Sequence, residues 1–206
     1  VRAFRILRAA RTEGRFEATH GANLIPLVGR EEELGLLMRR WEQAKQGEGQ
    51  VVLLCGEPGI GKSRITRALR ERVDGEPHVR LRYQCSPFHA NSALHPVIEQ
   101  FERAAAFARD DSAEQKLDKL EALLREGGAD ISATAPLIAT LLSLPAGRYP
   151  ALGYSPQKQK EKTLEALSAQ VEGLSAKSPV LMMFEDLHWA DPTTQEALDL
   201  IVSRLA

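Results

Sequence analysis

The chain has 206 residues, of which 43% are hydrophobic and 27% charged, a composition that supports a sizeable core and excludes a disordered chain. Its 27 basic and 28 acidic side chains give a net charge of −1, which argues against direct nucleic-acid binding, because phosphate contacts need a concentrated basic surface. Two cysteines make no disulfide framework, and no apolar run approaches the ~20 residues of a spanning helix, so we expect a cytoplasmic protein without a membrane partner.

The first 25 residues are predicted to be the tail of an upstream domain followed by a linker. The sequence begins at Val1 and lacks the apolar stretch of a secretory signal, so we expect it to be a piece of a longer chain. Residues 1–16 carry five arginines against one glutamate, a stripe that a nucleic-acid arm, a transit peptide or a solvated linker would each explain. The glycines and the proline within residues 12–26 favour the linker.

The next segments alternate between helical and strand patterns. From Glu31 to Ala44, apolar residues recur at three- and four-residue spacing behind an acidic first turn that suits the helix dipole. Residues 51–55 form a continuous apolar run beside a glycine, which is typical of a strand covered on both faces. A second helix is predicted over 63–73 and a strand over 79–85, so the three elements suggest a right-handed βαβ unit.

The middle third of the chain is predicted to be helical. Leucine-rich stripes mark segments around 94–101, 117–124 and 137–142, and we interpret these stripes as core packing. A fourth helix begins at Ser155–Pro156, a capping serine followed by proline at the first helical position. Strands that alternate with helices predict an α/β fold with a parallel sheet, which here carries a helical insertion at about residues 91–175.

A glycine-rich loop lies between the strand predicted at 51–55 and the helix that follows it. Its sequence fits the pattern G-x-x-x-x-G-K-[ST], whose glycines let successive backbone N–H groups curl around an anionic oxygen at a helix N-terminus. Lys62 supplies a cation for β- and γ-phosphates and the Ser63 hydroxyl can ligate Mg²⁺, so we expect ATP and Mg²⁺ as ligands. The predicted nucleotide-binding residues of this segment are Gly56, Glu57, Pro58, Gly59, Ile60, Gly61, Lys62, Ser63 and Arg64.

A second apolar strand, predicted over 180–184, ends in the two acids Glu185 and Asp186. A parallel sheet delivers such residues at its carboxyl edge, where ligands bind. We therefore predict that Glu185 orients Mg²⁺ or its water shell, and that Asp186 positions or deprotonates the attacking water, with Lys62 as the third catalytic residue. Helix capping or a surface ion pair is the alternative for Asp186. A last helix is predicted from Asp191, its N-cap, to the end of the chain.

These motifs give the chain a family resemblance. Residues 185–192, EDLHWADP, resemble the extended Walker B segment of the STAND class, which comprises signal-transduction ATPases related to AAA+ proteins. Residues 27–33 resemble the hhGRxxE signature that begins the nucleotide-binding domain in that class and lies against the adenine and ribose, which implies base-side contacts. The residues to which this role would fall are Val28, Gly29 and Arg30.

The likeness extends to a subgroup of the class and implies a fold. Residues 83–88 and 155–160 resemble the subgroup attached to bacterial class III adenylate/guanylate cyclases and related transcriptional regulators. The implied fold is a three-layer αβα P-loop NTPase domain over residues 26–206, with a parallel sheet that is incomplete here. In that fold a sensor strand, which these residues lack, lies between 51–55 and 180–184, so we expect a gap in the sheet.

The expected function is that of an ATP-binding switch module in a multidomain signalling or regulatory protein. AAA+ motors carry Asp then Glu where this chain has Glu185 then Asp186, which implies slow hydrolysis. The expected partners are ATP, ADP and other domains of the same chain, with nucleotide-dependent oligomerisation. An AAA+-like motor or loader acting on DNA is the alternative. An interaction module with a vestigial loop is a third, against which the intact Lys62 and Ser63 count.

Other conspicuous residues are interpreted as structural. Cys55 and Cys85 are expected to be small buried hydrophobes at strand ends. Trp189 is expected to be a packing anchor under the nucleotide site. The five histidines show no pairing at metal-ligand spacing.

Overall fold

A computed structural model describes residues 27–145 and 147–205, so the expectations for the upstream tail and linker lie outside the described residues. The first two helices are α1 (Glu31–Lys45) and α2 (Lys62–Val73), and strand β1 (Val79–Gln84) follows. After a 3₁₀ turn at Pro87–His89, four helices precede the second strand. They are α3 (His95–Ala104), α4 (Ala113–Glu126), α5 (Ile131–Leu141) and α6 (Pro156–Ser175). The last elements are β2 (Val180–Glu185), a 3₁₀ turn (Leu187–Trp189) and α7 (Pro192–Ser203).

The two strands form a parallel pair, which confirms the strands predicted over 79–85 and 180–184. The register runs from Val79 opposite Val180 to Gln84 opposite Glu185. A parallel pair needs a long crossover connection, and here α3 to α6 supply it. Because directly opposed residues share one face of a sheet, the polar side chain of Gln84 lies on the same face as Glu185.

Residues 51–55 do not form a strand, so that prediction is wrong for this structure, as is the βαβ unit that would begin there. Val51 is 62% exposed and Leu53 72%. A strand persists only where a neighbour pairs its backbone groups, and among the described residues the sheet consists of β1 and β2 alone. For the same reason Cys55 is exposed, contrary to its expected burial.

The described chain divides into two compact units. The first comprises residues 27–42 and 52–75, and the second comprises 43–51 and 76–205. In the first unit the apolar stripes of both predicted helices are buried, which confirms their periodicity; the buried side chains are Leu34, Leu37, Trp41, Ile65, Leu69 and Val73.

The second unit contains the main hydrophobic core. Leu117, Leu120 and Leu124 of α4 are fully buried there, and Ile138 of α5 and Leu167 of α6 are buried with them. Helix α3 packs on β1, and α4, α5, α6 and α7 pack successively on one another. The leucine stripes are therefore core packing, as predicted. Where the strands meet this core, the rings of Tyr83 and Phe184 stack with their centroids 4.4 Å apart.

Polar caps fix where the helices of this unit begin. The Ser155 hydroxyl accepts a hydrogen bond from the Lys158 backbone N–H at 3.3 Å. The Asp191 carboxylate accepts from the N–H groups of Thr193 and Thr194, each at 3.0 Å. Both predicted caps are confirmed, although α7 ends at Ser203. None of the helices described here has the length and apolar character that crossing a bilayer requires.

Candidate functional site

The glycine-rich loop of the first unit has a backbone that glycine alone adopts easily. Gly59 and Gly61 have φ angles of 83° and 103°, in the left-handed region. A Cβ added at either position would meet no atom within 4 Å, so the requirement is conformational and not one of space. Gly61 is the N-cap of α2, and its carbonyl accepts from the N–H groups of Arg64 and Ile65 at 3.0 Å. The loop therefore passes directly into a helix N-terminus, which suits an anion.

The Lys62 side chain folds back over this loop. Its Nζ donates to the carbonyl oxygens of Gly56 and Glu57, at 2.6 and 3.0 Å. The ammonium group thus lies against the loop that carries the predicted phosphate contacts. An ammonium has three donors, and the two backbone carbonyls that it contacts here are neutral acceptors. A phosphate oxygen is a charged acceptor and makes the stronger hydrogen bond, so it would compete well for this group.

The structure brings the 27–33 segment to the same loop. Arg30 Nη2 donates to the carbonyl oxygen of Ile60 at 3.2 Å, across 30 residues of sequence. Arg30 Nη1 contacts Glu33 Oε1 at 2.6 Å, and this hydrogen bond is the main cause that holds the pKa of the Glu33 carboxyl below its usual value. Gly29 has a φ of 69°, and Val28 is 79% exposed. The 27–33 segment and the glycine-rich loop are therefore in contact within the first unit.

In the second unit the acid Glu185 forms a two-pronged ion pair with Arg82. Arg82 Nε donates to Glu185 Oε1 at 3.2 Å, and Nη2 donates to Oε2 at 2.9 Å. The side chains are only 10% and 20% exposed. The register explains the contact, because Arg82 lies two residues before Gln84, the residue opposite Glu185, and therefore projects from the same face.

The neighbouring acid is held by the next polar residue of β1. Gln84 Nε2 donates to Asp186 Oδ2 at 3.0 Å. Asp186 follows the last residue of β2 and has a φ of 56°, so the chain turns sharply there. It stands at the N-cap of the 3₁₀ turn but makes no side-chain capping hydrogen bond, which disfavours the capping interpretation.

Sequence reasoning missed Arg82 and Gln84, although a signal for both was present. The strand VRLRYQ alternates, which places Arg80, Arg82 and Gln84 on one face of β1. Once β1 and β2 are taken as parallel neighbours, Arg82, Gln84 and Glu185 share one face near the carboxyl ends of the strands, and Asp186 follows directly after β2. The partner strand and its register were the missing information.

The predicted Mg²⁺ ligands can be tested against these contacts. Ser63 offers an exposed hydroxyl in the first turn of α2, and Glu185 offers carboxylate oxygens, the donor type that Mg²⁺ prefers. Both oxygens of Glu185, however, accept from Arg82. Each of these oxygens keeps a second lone pair, so the role of Glu185 as a metal ligand stays a prediction. Within the described part of the chain, no three His, Cys, Asp or Glu side chains are grouped as a metal site would need.

The predictions for two further residues near the strand ends had different outcomes. Trp189 is 41% exposed and its ring meets that of His188 at 5.1 Å, so the expected packing anchor is wrong, because the 3₁₀ turn directs the indole outward. Cys85 is buried, as predicted. Its burial, together with the charges of Asp191 and Asp186, raises the pKa of the thiol to about 11, so the thiol is unreactive at neutral pH.

Comparisons with known proteins identify the family to which the chain belongs. The family model described as an AAA ATPase domain matches residues 26–206. The chain belongs to the AAA ATPase domain family. An uncharacterized protein of Rhizobium meliloti (strain 1021) is 31% identical to it over 173 residues. That match covers 84% of this chain and 17% of the relative. No solved structure matches the chain.

Family membership indicates the kind of activity to which the glycine-rich loop contributes. An AAA ATPase domain is a P-loop ATPase domain, and the mixed α/β fold with a parallel strand pair is consistent with that assignment. The family indicates nucleotide-dependent activity with ATP and Mg²⁺ as the general ligands. The roles of the individual site residues, from Val28 to Asp186, remain predictions.

Proposed function

We propose that this AAA ATPase domain binds ATP with Mg²⁺ at the loop of residues 56–63 and acts as a slowly hydrolysing, nucleotide-dependent switch module of a larger signalling protein. The observation that carries the proposal is the geometry of the loop. Left-handed glycines lead directly into the N-terminus of α2, and the Lys62 ammonium lies over the loop. Such a loop combines two features that favour a polyphosphate, namely a helix N-terminus and a cation that lies beside it.

In the proposed complex, different residues of the first unit contact different parts of the nucleotide. Lys62 transfers its hydrogen bonds from the loop carbonyls to the β- and γ-phosphates. Val28, Gly29 and Arg30 contact the base and ribose, and the hydrogen bond from Arg30 to Ile60 ties that segment to the phosphate loop. A bound nucleotide would thereby fix two segments that are distant in sequence.

The proposed hydrolysis is slow because of the two acids. Mg²⁺, when bound, supplies charge neutralisation to the phosphates, and Ser63 and Glu185 are its predicted ligands. Asp186 is the predicted group that positions or deprotonates water. Its side chain is one methylene shorter than a glutamate, and Gln84 holds one of its oxygens. Both features limit how well Asp186 reaches a water molecule.

A switch requires more than binding. A ligand shifts an equilibrium only by its differential affinity for the two states, so the ATP-bound and ADP-bound forms must differ in what they present to the rest of the chain. The relative in Rhizobium meliloti, of which this chain covers 17%, leaves ample room for such other domains. Within this proposal the finer assignment is a STAND-class module linked to class III cyclases or related regulators, with nucleotide-dependent oligomerisation.

Binding of a fluorescent ATP analogue to the full-length protein tests the proposal. We expect Lys62→Ala to weaken binding by about 30-fold or more, because truncating one partner of an enclosed charge pair costs at least about 2 kcal/mol. Lys158→Ala is the matched control, since Lys158 is paired to Glu161 on the surface of α6, and it should bind as the unaltered protein does. Equal affinities for Lys62→Ala and Lys158→Ala would remove the lysine from its proposed role.

A further inference from the structure

A cavity lies in the second unit between the paired strands and the helices that cover them. Its volume is about 50 Å³, and its walls come from β1, β2, α3, α4, α6 and α7. All of its lining residues fall within 81–201, so the cavity belongs wholly to the second unit. The lining side chains are apolar except those of Tyr83, Gln100 and Gln170. Walls of this kind favour an apolar ligand that carries few polar groups.

Gln170 of α6 brings an unsatisfied hydrogen-bond acceptor to this cavity. The residue is only 6% exposed, and its Nε2 donates to the Leu123 carbonyl oxygen at 3.2 Å. That hydrogen bond fixes which end of the amide carries the oxygen, because a carbonyl accepts only from the NH₂ group. Gln170 Oε1 is buried and accepts no hydrogen bond from any group that the structure describes. A buried acceptor without a donor destabilises a fold, so this oxygen calls for a partner.

Helix α4 and its C-cap hold this amide in place. A Cβ on Gly127, the C-cap residue, would collide with the amide atoms of Gln170. Gly127 has a φ of −78°, which other residues adopt without strain, so glycine here provides space and not an unusual backbone. The amide is therefore positioned both by the Leu123 carbonyl and by the Gly127 backbone, which leaves Oε1 as its remaining acceptor.

The cavity suits an alcohol better than water. Gln100 Oε1 already accepts from the Arg82 N–H at 3.1 Å and from Arg103 Nη2. A buried water typically makes about three hydrogen bonds, for which these walls offer few partners. An apolar chain that ends in a hydroxyl would contact the apolar walls and donate to Gln170 Oε1. At roughly 10–15 Å³ for each water-sized group, the cavity has room for a chain of about four or five heavy atoms.

We propose that this cavity is a binding site for a small apolar alcohol whose hydroxyl donates to Gln170 Oε1. The site uses no residue of the 56–63 loop, so it does not depend on the proposed nucleotide binding. The alternative is a gap in the core that admits any apolar molecule of this size. A specific site and a simple gap differ in one measurable quantity, the preference for a ligand with a donor over an isomer without one.

The first experiment compares n-butanol with methyl propyl ether, which contain the same atoms although only the alcohol has a hydrogen-bond donor. Each compound is titrated into the unaltered full-length protein, and binding is followed by saturation-transfer NMR. We expect n-butanol to bind about fivefold more tightly, the typical contribution of one hydrogen bond. Equal affinities, tighter binding of the ether, or no saturable binding of the alcohol would overturn the inference.

Variants locate the binding within the chain. Gln170→Met keeps the length of the side chain but removes the acceptor, so the preference for the alcohol should disappear. Gln157→Met is the matched control, because it removes the same amide from an exposed position of α6 and should keep the preference. A preference that persists in Gln170→Met would show that the hydroxyl binds elsewhere and would overturn the inference.

A further variant keeps the test decisive if Gln170→Met fails to fold. Ala104, the last residue of α3, lines the cavity but is itself exposed, so it lies at the mouth. Ala104→Leu should narrow that mouth and weaken binding of n-butanol by about fivefold or more, because added methyl groups crowd a packed site. Unchanged binding of the alcohol by Ala104→Leu would place it outside this cavity and contradict the proposal.

Discussion

Glycine is required in the phosphate loop because of the backbone conformation and not because of the space available. Gly61 has a φ of 103° at the point where α2 begins, and nothing fills the space that its side chain would take. Gly35 in α1 is the opposite case, because it lies inside a helix, and a Cβ there would meet only the end of the Arg39 side chain at 3.5 Å. The same substitution therefore has opposite signs at the two positions.

Replacing each glycine by alanine tests this argument. Gly61→Ala should lower the free energy of unfolding by about 1–2 kcal/mol, the cost of a left-handed L-residue. Gly35→Ala should raise it by about 0.5–1 kcal/mol, because glycine weakens a helix interior. The measurement is denaturant unfolding of the full-length protein followed by a probe in this domain. A gain of stability for Gly61→Ala would show that the left-handed conformation does not persist in solution.

At the same scale the sequence predicts residues whose role depends on local spacing. The glycine pattern identifies the loop, and Ser155 and Asp191 are recognisable as caps, because each acts on neighbours two or three residues away. Arg82 is different, since its partner Glu185 lies 103 residues further on. Nothing in a single sequence fixes that register, so the ion pair could be found only in the structure.

At the scale of elements, helices and strands were not equally predictable. A helix satisfies its own backbone, so a periodic stripe such as that of α4 is enough to locate it. A strand needs a neighbouring strand to pair its backbone N–H and C=O groups. Residues 79–84 and 180–185 pair with each other, whereas the apolar run 51–55 has no partner strand among the described residues and forms no strand. The apolar run was identified correctly, but the local sequence does not determine whether it pairs with another strand.

The connection between α5 and α6 is held on α4 by ion pairs. Arg148 contacts three acids of that helix, Glu114, Asp118 at 2.7 Å and Glu121 at 3.1 Å. The Tyr149 hydroxyl donates to Glu121 Oε1 at 2.8 Å. These contacts hold the middle of the connection between α5 and α6 on α4, so the protonation states of these groups contribute to the packing of the helices.

The Tyr149 contact predicts a pH dependence at the alkaline end. Partial burial, and then the hydrogen bond to Glu121, raise the pKa of Tyr149 to about 12, against about 10 for an unfolded tyrosine. Between these values the folded protein keeps a proton that the unfolded chain has lost, so stability falls as the pH rises. Tyr149→Phe should lose less stability than the unaltered protein between about pH 10 and 12. Parallel stability curves, measured by denaturant unfolding, would contradict the assignment.

For the whole molecule, the motif and the family agree on an ATPase domain. The proposed roles are divided, with Lys62 in the first compact unit and Asp186 in the second. Variants in the two units should therefore separate binding from hydrolysis. This division follows from chain order, because the phosphate loop precedes β1 and the acids follow the long helical crossover.

Asp186→Asn in the full-length protein tests the hydrolytic half of the proposal. General-base groups contribute about 100-fold or more, so phosphate release should fall at least tenfold, while affinity for the ATP analogue stays within about twofold. Asp199→Asn, on the exposed side of α7, is the control and should alter neither quantity. DNA added to the unaltered protein should leave turnover unchanged, whereas stimulation by DNA would favour a motor or loader. Normal hydrolysis by Asp186→Asn would show that another group positions the water.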